Sequence, residues 1–233
     1  MRRFFGRLSG DKIIVDGNEF FHLKKVLRME VGDKLIACVN DGYDYYCRIE
    51  KMDKSSALLS IDEKKLSPAE PKKNIVLFQM MPKKDYFDSI LPKAIELGVS
   101  EIYFFTSSYT MIKSFKRERA TEQVKTACKQ CERSVLPIVH DVVKFEDMFD
   151  KLKAYNVVIF ANEHEKENKF KKELVENCQN IAVIVGNEGG FSEEEAKAII
   201  KNGGKSFTLG TRILRCDTAV IATLTLVGVF SDN

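Results

Sequence analysis

Two short stretches near the C-terminal end hold the groups that could do chemistry: Gly186-Asn-Glu-Gly-Gly-Phe-Ser192 and Leu209-Gly-Thr-Arg-Ile-Leu-Arg-Cys-Asp-Thr218. In the first, Gly186, Gly189 and Gly190 leave the main chain unshielded and free to turn sharply. Glu188 sits among them. The second carries two cations, Arg212 and Arg215, and the carboxylate of Asp217. Such turns can hold a ligand by backbone groups while an arginine stabilises charge that develops in a reaction. No lysine follows the glycines, as a phosphate loop requires, and the spacing is not Gly-x-Gly-x-x-Gly. Glu188, Glu193, Glu194 and Glu195 put negative charge where a pyrophosphate would lie, which is repulsive. These residues suit a ligand rich in hydroxyls and amines, with a positive centre and no phosphate.

The elements that must position them are legible. Ile181 to Val185 is an unbroken β-branched run, the pattern of a strand buried on both faces. Ser192 can cap a helix, with Glu195 as its capping-box partner. Strand, glycine loop and helix start together make a ligand-binding arrangement, and S-adenosylmethionine matches the ligand described. Further strands are expected at Asn74–Gln79, Ile102–Phe105 and Val157–Phe160. Helices are expected at Lys84–Leu97, with Gly98 as C-cap and Pro92 bending or breaking it, and at Thr121–Arg133, closed before Pro137. Residues 163–173 read as a solvated helix face. The pattern of Ala219–Phe230 fits helix or strand, and Asp217 as an N-cap favours helix. Alternating strands and helices imply a parallel α/β sheet. Ligands lie beyond the carboxyl ends of such strands. Three exits qualify: Thr106–Thr110, Gly186–Phe191 and Leu209–Thr218.

Residues 1–70 read as a small, mostly β domain and 71–233 as the α/β domain, joined at Ser67-Pro-Ala-Glu-Pro71. Asp41-Gly42 between Leu35–Val39 and the alternating Tyr43–Ile49 is a hairpin signal, and Ala57–Ile61 is another strand. Glu19–Met29 has helical spacing. Arg2, Arg3 and Arg7, with Lys24, Lys25 and Arg28, supply cations beside Phe4, Phe5, Tyr43 and Tyr45, the ingredients of an RNA surface or of an ordinary core and solvated helix. A net charge of +3 over 233 residues does not by itself announce a nucleic-acid binder. The N-terminus lacks the apolar core of a signal peptide, and Ala219–Phe230 is too short to span a bilayer, so a cytoplasmic protein is expected. The six cysteines should stay reduced. Cys128-x-x-Cys131 lacks a second pair, so no metal is expected. His22, His140 and His164 have no catalytic context.

Gly186-x-Glu-Gly-Gly-Phe-Ser192 followed by Leu209-Gly-x-Arg-Ile-Leu-Arg-x-Asp-Thr-Ala219 resembles the bacterial 16S ribosomal RNA uracil-N3 methyltransferase family, of the SPOUT class. His22-Leu-x-x-Val-Leu-Arg28 with Val31-Gly-Asp33 resembles the same family's N-terminal pattern. The resemblance implies a PUA-like RNA-binding β-barrel, then a trefoil-knotted α/β domain that binds S-adenosylmethionine, a homodimer, and small-subunit ribosomal RNA as substrate. It places Thr106, Gly186, Glu188, Gly189, Gly190, Leu209, Gly210, Ile213, Leu214 and Arg215 around the cofactor. The three exit loops form its pocket. Gln130-x-x-Arg133 with Pro137 also looks like a family element, one that meets the substrate or the cofactor loops.

Uracil N3 holds a proton with a pKa well above neutral, so the site needs a proton acceptor, a cation for the developing anion, or both. Arg215 is assigned to the anion, with Arg212 as second cation and Glu188 as nearby carboxylate. The plainer reading pairs Arg212 with Glu188 and makes Asp217 a helix cap. The sequence departs from the family at Tyr109, Lys129, Asn187, Thr211, Asp217 and Pro92. Asn187 and Thr211 stand where prolines are usual, so those loops are expected to be less rigid. Tyr109 and Lys129 leave open a different RNA base or transfer RNA, and a noncatalytic RNA-binding or ribosome-assembly role is the rival from another class.

Overall fold

The computed structural model describes residues 1–108 and 110–231. Tyr109, singled out above for its departure from the family pattern, lies outside the described residues. The chain divides into two compact units: residues 1–70 with 125–136, and residues 71–124 with 137 onward. A boundary near residue 70 was expected. The return of 125–136 to the first unit was not.

In the first unit, β1 (Arg3–Phe5), β2 (Arg7–Ser9), β3 (Lys12–Asp16), β4 (Lys34–Cys38), β5 (Tyr43–Met52) and β6 (Ser56–Leu66) form one sheet in the order β1-β4-β5-β6-β3-β2. Its two end strands are halves of one stretch broken at Gly6. One half runs parallel to β4 and the other antiparallel to β3. A Cβ at Gly6 would lie 2.7 Å from the Ile14 carbonyl oxygen, so only glycine lets the chain switch partners there. Phe4, Ile13, Val15, Leu23, Leu35, Ile49 and Leu59 fill the interior. The hairpin at Asp41-Gly42 forms as expected, with Asn40 and Gly42 at positive φ.

The helix expected over Glu19–Met29 is shorter. It is α1 (Gly17–Phe21), widened into a π-turn over His22–Val26, and Arg28 then takes a φ of 53°. Phe20 and Leu23 face the core while Phe21, Lys25 and Val26 are exposed.

Arg3 is 8% exposed. Its guanidinium donates to both carboxylate oxygens of Asp44 and, at 2.8 Å, to Ser134 Oγ. This corrects its placement on an RNA surface: Arg3 is a buried partner of the 125–136 segment. Arg133 is buried too, and donates to Glu70 Oε2 at 3.2 Å. Lys129 pairs with Glu19 at 2.7 Å. These charges are internal ties of the first unit, which is why 125–136 belongs to it.

In the second unit, β7 (Asn74–Met80), β8 (Glu101–Thr106), β9 (Ile138–Val139), β10 (Val143–Lys144), β11 (Val157–Ala161), β12 (Asn180–Val185) and β13 (Gly204–Phe207) form a wholly parallel sheet. Its order is β10-β8-β7-β12-β11-β13, with β9 beside β8. Among the described residues, α2 (Lys84–Glu96), α4 (Phe145–Leu152), α5 (Glu193–Lys201) and α6 (Cys216–Ser231) accompany it, while α3 (Arg117–Gln130) begins in this unit and passes into the first at residue 125. Val76, Phe78, Val158, Phe160, Ala182 and Ile184, alternate residues of the central strands, pack with Met148, Ala196 and Ile199 into one core.

Three local expectations are corrected. Pro92 does not break α2, which runs through it with Ile90, Leu91, Ala94 and Ile95 all fully buried, so packing on both sides outweighs the lost hydrogen bond. The helix ends where Gly98 predicts. Gly98 (φ 84°) donates to the Ile95 carbonyl and Val99 to that of Ala94, a Schellman motif. Residues 163–173 are not a helix but an irregular connection with one 3₁₀ turn at Lys172–Leu174, and Lys169 bridges Thr208. Asp217 is not the cap of α6; it lies in the first turn and accepts a hydrogen bond from Ser89 Oγ at 3.2 Å. Val220, Thr223, Leu224 and Val227 are fully buried, an i, i+3, i+4, i+7 stripe that resolves the ambiguous segment as helix.

Candidate active site

The C-terminal ends of three adjacent strands, β12, β11 and β13, open into one cavity of about 420 Å³. The first wall is the glycine turn after β12. A Cβ at Gly186 would meet Gly190 Cα at a tight 3.3 Å, and Gly190, with a φ of 67° and Glu163 Oε1 1.6 Å from where its Cβ would lie, needs glycine outright. Gln79, fully buried on β7, donates from Nε2 to the Gly186 carbonyl at 3.0 Å. Asn187 donates to the Met81 carbonyl at 3.3 Å and accepts from the Gly189 amide at 2.9 Å. The loosening expected from asparagine in place of proline is thus offset by side-chain hydrogen bonds. Glu188 Oε1 accepts from the Lys83 amide at 2.9 Å. After Phe191, Ser192 Oγ accepts from the Glu195 amide and Glu195 Oε2 from the Ser192 amide, completing the predicted capping box of α5.

The second wall is the exit of β11. The Asn162 amide donates to the Phe207 carbonyl at 3.0 Å, which ties this exit to β13. Glu163 Oε1 accepts from the Phe191 amide at 3.1 Å, and His164 Nε2 lies 3.3 Å from the Phe191 carbonyl. The Glu163 carboxylate occupies the place of the missing Gly190 side chain: a Cβ there would lie 1.6 Å from Oε1. The third wall is Thr208 to Leu214, where Gly210 turns with a φ of 115° and Thr208 Oγ1 accepts from its amide at 3.1 Å. Cys216 and Ala219 close the base. Burial pushes the Cys216 thiol up to about 12, and the Glu188 and Asp217 carboxylates push the same way.

The structure brings together Gly186, Glu188, Gly189, Gly190, Leu209, Gly210, Arg212, Ile213 and Leu214 of the expected residues. Arg215 is not on the wall but exposed just before α6. Arg212 is exposed on the wall, and neither arginine makes an ion pair among the described residues, so the Arg212–Glu188 pairing is not formed. Thr106 is outside the cavity, because β7 lies between β8 and β12 in the sheet. In place of its loop stand Asn162, Glu163 and His164. The only sequence signal for them was position just after a predicted strand.

The cavity fits the ligand class inferred from sequence. Its volume is within the range of about 300–1,000 Å³ usual for small-molecule sites. Two carboxylates and one arginine line it, without lysine, and four glycines bare its backbone. That donor set accommodates a cationic nucleoside and opposes a pyrophosphate.

A glycine cavity at the C-terminal edge of a parallel sheet, in a chain that also carries a separate small β unit, is consistent with an RNA methyltransferase with an appended PUA domain. A family model described as an RNA methyltransferase domain matches residues 69–228, and one described as an RNA methyltransferase PUA domain matches residues 15–62. The chain is 31% identical over 234 residues to ribosomal RNA small subunit methyltransferase E of Buchnera aphidicola, covering 94% of this chain and 91% of that one. It is 26% identical over 245 residues to the Bacillus subtilis protein of the same name, covering 97% and 96%. The solved structure of ribosomal RNA small subunit methyltransferase E from Neisseria gonorrhoeae, bound to S-adenosyl methionine, superposes with a TM-score of 0.86 at 27% identity, covering 99% and 98%. The chain belongs to the ribosomal RNA small subunit methyltransferase E family.

Proposed function

We propose that this protein transfers a methyl group from S-adenosylmethionine to the N3 of a uracil in 16S ribosomal RNA. The observation that carries the reading is the single cavity shared by the Gly186–Gly190 and Leu209–Leu214 turns, acidic and without lysine, in a chain that superposes end to end on a relative bound to that cofactor. Gly186, Gly189, Gly190, Leu209, Gly210, Ile213 and Leu214 would hold the cofactor, largely through main-chain groups. When bound, it supplies an activated methyl on a sulfonium. Arg212 on the wall stabilises the uracil anion as the N3 proton leaves, and Arg215, outside the cavity, meets the RNA backbone. Glu188 is the carboxylate placed to take the proton, directly or through water. Walls on three sides would restrict how a bound cofactor sits, which would lower the entropic part of the barrier.

The RNA surface on the first unit comprises Arg2, Arg7, Lys24, Lys25 and Arg28, without the buried Arg3 and Arg133. The exposed Phe21 beside Lys25 adds a stacking platform. The protein acts as a homodimer in the cytoplasm. Ile213, 94% exposed on the cavity rim, is the apolar side chain a second copy would cover.

Calorimetry of the purified protein with S-adenosylmethionine, ATP and NAD tests the cofactor, with heat expected from the first. Mass spectrometry of small-subunit ribosomal RNA from a deletion strain, before and after treatment with enzyme, tests the target. N3-methyluridine gained on treatment supports the reading. A methyl on another base refutes the target, and RNA binding without any cofactor heat refutes the enzyme.

A further inference from the structure

Glu163 is unused by the mechanism above, yet it lines the cavity in the space beside Gly190. Its Oε1 is held by the Phe191 amide at 3.1 Å and by the vacancy over Gly190. Its Oε2 has no partner among the described residues. Glu188 on the opposite wall repeats the arrangement, with Oε1 on the Lys83 amide at 2.9 Å and Oε2 without a partner among the described residues. Two carboxylates thus each spend one oxygen on the backbone and leave one for the cavity. The countercharges nearby are few. Arg212 lines the same cavity without an ion pair among the described residues, and His164 Nε2 is 4.0 Å from Glu163 Oε1. A carboxylate whose purpose was to hold a loop would gain nothing from a second acidic group in one small cavity, since like charges repel.

We propose that Glu163, reinforced by Glu188, makes this cavity select the sulfonium form of the cofactor over its thioether product. The inference rests on the cofactor reading above. In the transfer, the N3–C bond forms as the S–C bond breaks, the electron pair stays on sulfur, and the N3 proton passes to the acceptor. The bound molecule therefore loses its sulfonium charge, while its amino group, carboxylate and adenosine are unchanged. The charge of Glu163, which takes no proton, stabilises the form that arrives and stops stabilising the form that must leave, so product release is built into the electrostatics. Glu163 acts as a recognition residue rather than a proton carrier.

The test is calorimetric titration of the full-length wild type, Glu163→Gln and Glu188→Gln with S-adenosylmethionine and with S-adenosylhomocysteine. Glutamine keeps an oxygen for the Phe191 amide and removes the charge. The ratio of the two dissociation constants is expected to fall by about tenfold in Glu163→Gln, about 1.4 kcal/mol, almost wholly through weaker binding of the sulfonium form. A smaller fall is expected in Glu188→Gln, and added salt should compress the wild-type ratio. Equal weakening of both ligands, or an unchanged ratio with an unchanged thermal midpoint, overturns the proposal and leaves Glu163 a loop support. If the wild type binds neither ligand, the cofactor reading falls first and takes this inference with it.

Discussion

Replacing Gly190 with alanine tests the geometry of the cavity most directly. An L-residue at a φ of 67° pays about 1–2 kcal/mol for the left-handed conformation. The new Cβ would also stand 1.6 Å from Glu163 Oε1, so the carboxylate must swing away and give up the Phe191 amide. A hydrogen bond to a charged group is worth about 1.5–3 kcal/mol when buried. The Glu163 side chain is 36% exposed, so solvent screening reduces its share to about 1 kcal/mol. The sum is about 2–3 kcal/mol, read by urea unfolding monitored by circular dichroism, and cofactor affinity should fall with it because the glycine wall moves. A double-mutant cycle separates the two contributions. In a Glu163→Ala background the carboxylate is already gone, and the same substitution should cost only about 1–2 kcal/mol. An identical cost in both backgrounds, or a Gly190→Ala protein as stable as wild type, would refute the claim that this side chain fills the glycine's space.

Other expectations concern the first unit, the thiols and the cavity rim. Arg3→Ala strands the buried Asp44 carboxylate and should cost about 3–5 kcal/mol at pH 7, whereas Arg2→Ala and Arg7→Ala at exposed sites should each cost less than about 0.5 kcal/mol; near-equal costs would return Arg3 to the surface. Burial pushes the Asp44 carboxyl up, but hydrogen bonds from Arg3 and Ser134 more than offset it and hold the group below its ordinary value. A lowered folded value stabilises above the unfolded pKa and is lost as pH falls, so the cost of Arg3→Ala, compared at pH 7 and pH 3, should shrink at the acid end. Burial raises the Cys38 thiol, and lifts those of Cys47, Cys128 and Cys216 to about 12; alkylation of the native protein at pH 8 should therefore label Cys131 and Cys178, both partly exposed, and spare these four. Ile213→Glu should convert the proposed dimer to monomer in light scattering, and a wild type already monomeric at micromolar concentration would dispose of that interface.

Much of the site was legible because its signals are local. Gly186–Gly190 demands its backbone whatever surrounds it, and the reciprocal bonding of Ser192 and Glu195 spans three residues. The wrong readings were those in which a local preference met a tertiary one. Pro92 would break an isolated helix, but the fully buried side chains around it keep α2 unbroken from Lys84 to Glu96. The Glu- and Lys-rich run from 163 has the composition of a solvated helix, yet its first residues, Glu163 and His164, are drawn onto the cavity by the Phe191 backbone. Arg3 and Arg133 look like surface cations until Asp44 and Glu70, 41 and 63 residues away in sequence, are found folded against them.

The chain's order of residues determined the chemistry: a bare acidic turn, a second turn bearing arginines, and a ligand without phosphate. It also determined strand and helix wherever periodicity or capping was unambiguous. Which strands stand side by side was decided only in three dimensions, since parallel pairing joins segments that share no local pattern. That ordering set β11 rather than β8 next to β12. Through it, Glu163 and His164 came to the cavity, Thr106 was left out, and Arg212 stood at the wall with Arg215 outside it.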